Sequence, residues 1–553
     1  MNFLRRRLIY SFKRLNYFFV RFKERYFRYR VLKFLNKHSA CNKNLGMVLM
    51  WEFGGFELMF RRDAIISLAL NLRGYCTHFV LCDGISSACV LREVHGKNFK
   101  EWPSSCKNCL KAMVRIAEKY GVNYSVASDY IDRNTSKKLK EIANCIDIKD
   151  IKTYCYLGIR VGEYALASFM RYKKGYPFDF FVEDNDIIYR EYFYASLVNT
   201  YVANQAINKH NPLSIHTSHG LYVDFSSPVF LGVKKDIHSV CWTSGFLKNT
   251  HYYSSPKNEG TLLLRGISNL EWKKRKLKIL DKKGEDRLNR FLADRYFERK
   301  TVDTKLFDKP ADVSDIKKEL GIDNDNPIVC LFSHVNWDGC IDFSSRVFED
   351  SYEWVIESVK KMSKISGVNW LIKIHPWEFG LKTYYGVKDE IKRKFSCLPS
   401  NVKILESDSK INSYGIYQLI DVGITIVGTI GVELPLFGKP VIVLGEAHFS
   451  NKGFSLDMKT KEEYFWFLEN VKDLKPLSSE QIKLAHQYAY SYFIERQIPL
   501  NFLNDNYEIG LGGLKGLLAG NNWIVDKICE GIVFRKDIIL DEAILNTFAH
   551  KNK

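Results

Sequence analysis

Three short polar clusters interrupt the most apolar stretch of this sequence, and each carries side chains able to hold an anion. They are Ser333-His334-Val335-Asn336-Trp337-Asp338, Lys373-Ile374-His375-Pro376-Trp377-Glu378 and Gly428-Thr429-Ile430-Gly431-Val432-Glu433. In the third, a glycine, a hydroxyl residue and a second glycine lead into a helix-forming run. Unpaired backbone N–H groups and the positive end of a helix dipole favour a phosphate there. Gly428 and Gly431 permit close backbone approach. Glu433, about one turn on, is placed to accept hydrogen bonds from ribose hydroxyls. The plainer reading of the same residues is a strand–helix turn with Thr429 as its N-cap. In the second cluster Pro376 suits the first turn of a helix. His375 then ends a strand, able to donate to a phosphate oxygen, with Lys373 supplying charge.

These clusters need elements to hold them. Ile328 to Phe332, Trp370 to Ile374, Val402 to Leu405, Val422 to Ile426 and Pro440 to Leu444 are apolar throughout rather than alternating, as buried parallel strands are. Helical stretches fall between them, at about 349–365, 412–420 and 431–437. All three clusters follow strand carboxyl ends, where doubly wound sheets bind ligands. A similar rhythm precedes them: strand Met47 to Trp51, turn Gly54-Gly55, helix Phe56 to Leu72, strand Thr77 to Cys82, and later strand Leu213 to His216. The expected fold is therefore α/β, with two Rossmann-like domains at 41–300 and 326–475. A charged linker region at 270–325 joins them, and a helical tail occupies 476–553. A length of 553 residues suits two large domains.

The net charge of +19 is concentrated at the N-terminus, where residues 1–37 hold twelve Lys or Arg against Glu24 alone. Leu4, Leu8, Phe12, Leu15, Phe19, Phe22, Tyr26 and Tyr29 recur at steps of three or four, and the cations fall largely off that stripe. This describes a basic amphipathic helix over 1–40 lying on an anionic membrane surface. The alternative is a helix docked on its own protein, with its charges solvated. No recognised RNA-binding motif accompanies the charge, so a nucleic-acid partner is not expected. No secretory signal and no run of 18 apolar residues is present. The expectation is a cytoplasmic protein, peripheral on the inner membrane. Thirteen cysteines are too few for a disulfide scaffold in 553 residues. Cys82, Cys89, Cys106 and Cys109 form C-x6-C-x16-C-x2-C, which reads either as ordinary thiols or as a closed, structural zinc site.

The order and spacing of several motifs resemble the capsule polysaccharide biosynthesis family, which includes the Kdo transferases of capsule assembly. They are Asn336-Trp337-Asp338, the Lys373–Glu378 and Gly428–Glu433 clusters, Gly438-Lys439-Pro440 through Gly445, and Gly453-Phe454-Ser455. The resemblance is strongest over 326–475; it is looser at His216-Thr217-Ser218-His219-Gly220-Leu221-Tyr222. It implies the glycosyltransferase B fold, a nucleotide-sugar donor such as a CMP-Kdo-like or NDP-sugar, and no catalytic metal. It also implies that His375, Thr429 and Glu433 hold the nucleotide, with Asn336, Asp338, Lys373 and Gly428 beside them. Many relatives carry Ser-Thr where this chain has Gly428-Thr429, so one hydroxyl contact to phosphate is missing or replaced. The implied reaction transfers a sugar to a polysaccharide or glycolipid acceptor, and it needs a base for the acceptor hydroxyl. His219, at a strand end before a glycine, is the candidate, with a turn role as its alternative; Glu52 and Asp83 stand in reserve. A sugar-nucleotide epimerase and a non-catalytic capsule assembly or export factor remain open on the same sequence.

Overall fold

Apolar side chains on both faces of a strand demand cover on both faces, and the chain supplies it with helices between successive strands. The computed structural model describes residues 21–38, 45–92, 98–175, 184–257, 265–303, 312–339, 347–542 and 545. In the first domain the strands are β1 (Met47–Glu52), β2 (Cys76–Leu81), β3 (Tyr124–Val126), β4 (Ser214–Ser218), β5 (His238–Ser244) and β6 (Thr250–Ser254). In the second they are β7 (Ile328–Phe332), β8 (Asn369–Lys373), β9 (Val402–Leu405), β10 (Val422–Thr425), β11 (Val441–Val443) and β12 (Leu456–Asp457). A last strand, β13 (Ile498–Pro499), belongs to the tail.

The first sheet has the order β13-β6-β5-β4-β1-β2-β3, and the second β12-β11-β10-β7-β8-β9. The second is parallel throughout; the first is parallel except for β6 and β13 at one edge. Both reverse direction once. From β1 the chain builds outward to β2 and β3, then returns to β4 on the other flank of β1. From β7 it builds to β8 and β9, then returns to β10 on the other flank of β7. A doubly wound sheet opens a crevice at such a switch point, beyond the strand carboxyl ends. The two-domain α/β architecture expected from the sequence is present, and the crevices fall at β1/β4 and at β7/β10.

The tail departs from expectation. It begins helically, with Ser479–Tyr490 and a π-turn at Ser491–Glu495, but then returns to the first domain. There β13 pairs antiparallel with β6, Ile498 opposite His251. Gln497 Oε1 accepts from the backbone N–H groups of Phe246 and Leu247 at 2.8 and 3.0 Å. The helix Trp523–Val533 packs behind the same sheet, where His238 Nε2 lies 2.9 Å from the Gly531 carbonyl. These residues read as an appended helical tail because β13 is only two residues long and its partner strand lies far upstream.

Residues 1–20 of the basic arm lie outside the described residues. Residues 21–38 form a helix with two apolar faces. Phe27, Val31, Phe34 and Leu35 dock on the first domain, with Phe27 edge-on to Tyr120 at 5.7 Å. Arg115 pairs with Glu24 at 2.7 Å beside them. Phe22, Tyr26 and Tyr29, the stripe visible in the sequence, stay exposed. Among the described residues no helix is long and apolar enough to cross a membrane.

Candidate functional site

On the first domain the crevice wall is the turn after β4. His219 takes a positive φ of 46°, and its N–H bonds the Trp242 carbonyl at 2.9 Å, tying the turn to β5. Its Nδ1 meets the Ser218 hydroxyl, and its ring faces Phe225 and Trp242. Burial and then the Arg171 and Arg265 guanidiniums push its pKa down to about 4, against an opposing pull from Asp338. The candidate base is therefore neutral at pH 7, and an anion that neutralised those guanidiniums would make it more basic.

The facing wall comes from the loops after β7, β8 and β10. His375 N-caps the helix Pro376–Gly380, its Nδ1 accepting from the Trp377 N–H at 3.2 Å. That bond fixes the neutral tautomer and leaves the proton on Nε2, a donor suited to a phosphate oxygen. Burial, then His334 and Lys373, lower its pKa to about 3, so it stays neutral without a ligand. His334 lies edge-on to it at 6.1 Å and is lowered to about 4 by burial. Burial pulls the Lys373 ammonium down to about 8, against an opposing pull from Cys330, and leaves it mainly cationic at neutral pH.

Gly428 and Thr429 lie partly exposed at the turn after β10. Thr425 Oγ1 accepts from the Gly428 N–H at 3.1 Å, while Thr429 sits at the N-cap position without using its side chain as a cap. Its hydroxyl is thus available to a ligand. One strand, β7, separates β8 from β10. Adjacent strands lie about 4.8 Å apart, so the strands that lead into the His375 and Thr429 turns are about 10 Å apart, within the span of a nucleoside diphosphate.

Other expected site residues have different duties. Glu433 is buried, with Arg295 Nε donating to Oε1 at 2.7 Å and the Tyr417 hydroxyl to Oε2 at 2.6 Å. Its carboxylate faces the linker helix Lys282–Tyr296 and is not presented to a ribose. Gly431 is needed for packing, since a Cβ there would fall 2.0 Å from the Phe449 ring. The α-helix there spans only Ile430–Glu433 before tightening to 3-10 geometry at Leu434–Phe437. Asn336 is buried, its Oδ1 accepting from the Ser351 hydroxyl. Asp338 reaches across the crevice: its Oδ1 accepts from the Tyr222 hydroxyl at 2.6 Å and from Arg171. Tyr222 in turn accepts from the Gly339 N–H at 3.0 Å.

The reserve bases are also committed. Glu52 is buried beside Asp63, and burial, then that neighbouring carboxylate, raise its pKa well above the usual range. Asp63 itself holds Arg62, His216 and the Trp242 indole. Asp83 accepts from the backbone of Ile85 and Ser128, a turn role.

Cys82, Cys89, Cys106 and Cys109 do gather in one region, near Asp224 and Arg92. Yet Arg92 Nη2 donates to Cys106 Sγ at 2.9 Å, a cation where a zinc ion would need the sulfur. Cys109 Sγ is packed against Gly55, whose missing Cβ would lie 2.1 Å away. Among the described residues no group of three or more His, Cys, Asp or Glu is arranged to hold a metal ion. The four residues pack as thiols in this structure, not as the closed zinc shell that their spacing allowed.

Arg171, Arg265 and Tyr222 were not picked out as site residues by sequence alone. Arg171 lies in the last turn of the helix Val161–Lys173, a place with no motif around it. Arg265 approaches the Phe246 ring at 4.8 Å and acts on His219 and His448. The cleft thus gathers two guanidiniums, an ammonium and three neutral imidazoles, and its carboxylate Asp338 is already matched to an arginine.

No family model matches the sequence, and no curated protein matches it. Among solved structures, the beta Kdo 2,4 transferase KpsC of Thermosulfurimonas dismutans is similar at 14% identity and TM-score 0.32, covering 50% of this chain and 79% of that one. Anabaena Alr3699/HepE, in complex with UDP and glucose, is similar at 11% identity and TM-score 0.29, covering 87% and 99%. The UDP-GlcNAc 2-epimerase of Neisseria meningitidis, bound to UDP-GlcNAc, is similar at 9% identity and TM-score 0.24, covering 81% and 96%. At such scores and identities these likenesses carry no residue-level correspondence, and the site stands on its own geometry.

Proposed function

We propose that the protein is a metal-independent glycosyltransferase of the B type, moving a sugar from a nucleotide-activated donor to a surface-polysaccharide or glycolipid acceptor at the inner membrane. The observation that carries this reading is the pairing of two switch-point crevices, one lined by His219, Arg171 and Arg265, the other by His375, Lys373 and the Gly428–Thr429 turn. The nucleotide lies on the second domain, with its phosphates between the His375 Nε2–H and the Thr429 turn. Negative charge grows on the leaving phosphate as the sugar departs through an oxocarbenium-like state. Preorganised donors and cations stabilise that charge without reorganising. The acceptor enters from the first domain, where His219 takes the proton from its hydroxyl. Phosphate charge beside Arg171 and Arg265 raises the basicity of His219 when the donor is bound, so the base is strengthened when it is needed. The exposed stripe of the N-terminal helix holds the enzyme near a membrane-bound acceptor.

Thermal unfolding with CMP, CDP, UDP and GDP tests the donor site. A ligand at a hundred times its dissociation constant stabilises by about 2.7 kcal/mol, and one of the four is expected to do so. Product analysis with the matching sugar nucleotide, with and without acceptor and with chelator present, then reads transfer directly. Absence of any nucleotide effect sinks the proposal, and conversion of the sugar nucleotide without acceptor assigns an epimerase instead.

A further inference from the structure

The connection between the helices Asn269–Arg275 and Lys282–Tyr296 has a composition that neither the core nor the cleft explains. Its ends are firmly built. Ser268 caps the first helix, its hydroxyl accepting from the Glu271 N–H at 3.2 Å, and Trp272 turns inward, edge-on to Tyr488 at 5.3 Å. Asp281 caps the second helix by accepting from the Gly284 N–H at 2.8 Å, and Leu280 folds against Gly284. Between these anchors the turn presents Leu277 and Ile279 at 79% and 95% exposure, with Leu270 at 66% nearby. Lys273, Lys274, Lys276, Lys278, Lys282 and Lys283 surround them, all exposed.

The local acids do not offset this charge. Glu271 is taken by Arg275 at 2.8 Å, with Lys274 at 3.8 Å, and the Asp281 carboxylate is engaged as a cap. Among the described residues Lys273, Lys276, Lys282 and Lys283 have no ion-pair partner. Two bare aliphatic side chains on an anchored turn, ringed by ammonium groups, match one kind of surface. Leucine and isoleucine enter the acyl boundary of a bilayer while lysine stems let the ammoniums reach lipid phosphates. A protein partner is disfavoured, because interface cores are poor in lysine and rich in aromatic and arginine anchors. A nucleic acid would use the lysines but gain little from Leu277 and Ile279, since its bases stack on aromatic rings.

We infer that residues 270–283 form a lipid-contacting turn that binds an anionic bilayer surface, separate from the N-terminal helix. Flotation of the full chain with phosphatidylcholine vesicles, with and without phosphatidylglycerol, tests this without any sugar nucleotide. Wild type floats with the anionic vesicles. Leu277→Ser combined with Ile279→Ser weakens partitioning at least tenfold. Exchanging Lys273, Lys276, Lys282 and Lys283 for Gln weakens it at least tenfold and flattens its salt dependence. All six side chains are exposed, so unfolding midpoints and nucleotide binding stay at wild-type values. Variants that float as wild type does, or that lose binding to a single-stranded RNA while keeping vesicle partitioning, overturn the inference. Should nucleotides fail to bind while the variants behave as described, the transferase reading falls and this one stands.

Discussion

Replacing Glu433 separates its buried ion-pair duty from any contact with a nucleotide. Its two oxygens hold Arg295 and Tyr417, and Arg295 also pairs with Asp303 at 2.7 Å. Glu433→Ala leaves a buried guanidinium with one carboxylate fewer and a buried phenol without its acceptor. Breaking a buried pair from one side costs about 3–5 kcal/mol. Native stabilities run about 5–15 kcal/mol, so the loss is a large part of the total. Glu433→Gln keeps the shape and both contacts without the charge, and costs roughly 2 kcal/mol. Exchanging Arg295 and Glu433 together for methionine, with Asp303→Asn beside them, costs less than Glu433→Ala, because no lone charge remains at that position. Urea unfolding followed by tryptophan fluorescence reports this, since Trp337, Trp354 and Trp370 are buried in the second domain. The expected order of midpoints is wild type, Gln, double methionine, Ala. Calorimetry on the folded Gln variant is expected to give wild-type nucleotide affinity. A Glu433→Ala protein that unfolds at the wild-type midpoint yet binds nucleotide tenfold more weakly would falsify the assignment and return Glu433 to the ribose.

Three further outcomes follow from the geometry. His375→Ala removes the Nε2–H donor and lowers nucleotide affinity about tenfold, near 1.4 kcal/mol, and the lost cap costs about 1 kcal/mol of stability besides; equal affinity by calorimetry excludes the contact. His219, His334 and His375 have folded pKa values of about 4, 4 and 3, below the ordinary 6.5, so the unfolded chain takes up protons first as pH falls. Stability is full above pH 6.5 and declines toward pH 4, by roughly 2 kcal/mol per histidine at pH 5. The thermal midpoint is therefore lower at pH 5 than at pH 7, and the triple exchange to Asn flattens that profile. Gly431→Ala drives a methyl into the Phe449 ring and costs about 1–3 kcal/mol, which Phe449→Leu relieves; unchanged stability would restore a ligand-facing role to this glycine.

Much of the second sheet was readable because its strands are short apolar runs, a pattern set by burial on both faces. The runs Ile328–Phe332 and Val402–Leu405 became strands with those bounds. β5 was missed because His238-Ser239-Val240-Cys241-Trp242-Thr243-Ser244 is mostly polar, and its polar groups are buried through partners remote in sequence. The site divided in the same way. His375 follows β8 and precedes a proline, and that local pattern puts it at the head of the helix Pro376–Gly380. Glu433 follows a turn with equal local logic, but its direction depends on Arg295, 138 residues upstream. Arg171 and Asp338 meet only because two domains close on each other, and no spacing along the chain records that.

The strand β13 means that the polypeptide passes between the lobes twice, once through the linker helices and once on its return. A cut at the linker therefore does not yield two self-sufficient halves. The first half alone would end its sheet on an unprotected β6 and lose Gln497 from the backbone of Phe246 and Leu247. Independent expression of that lobe calls for grafting the segment from Arg496 onward behind a short spacer.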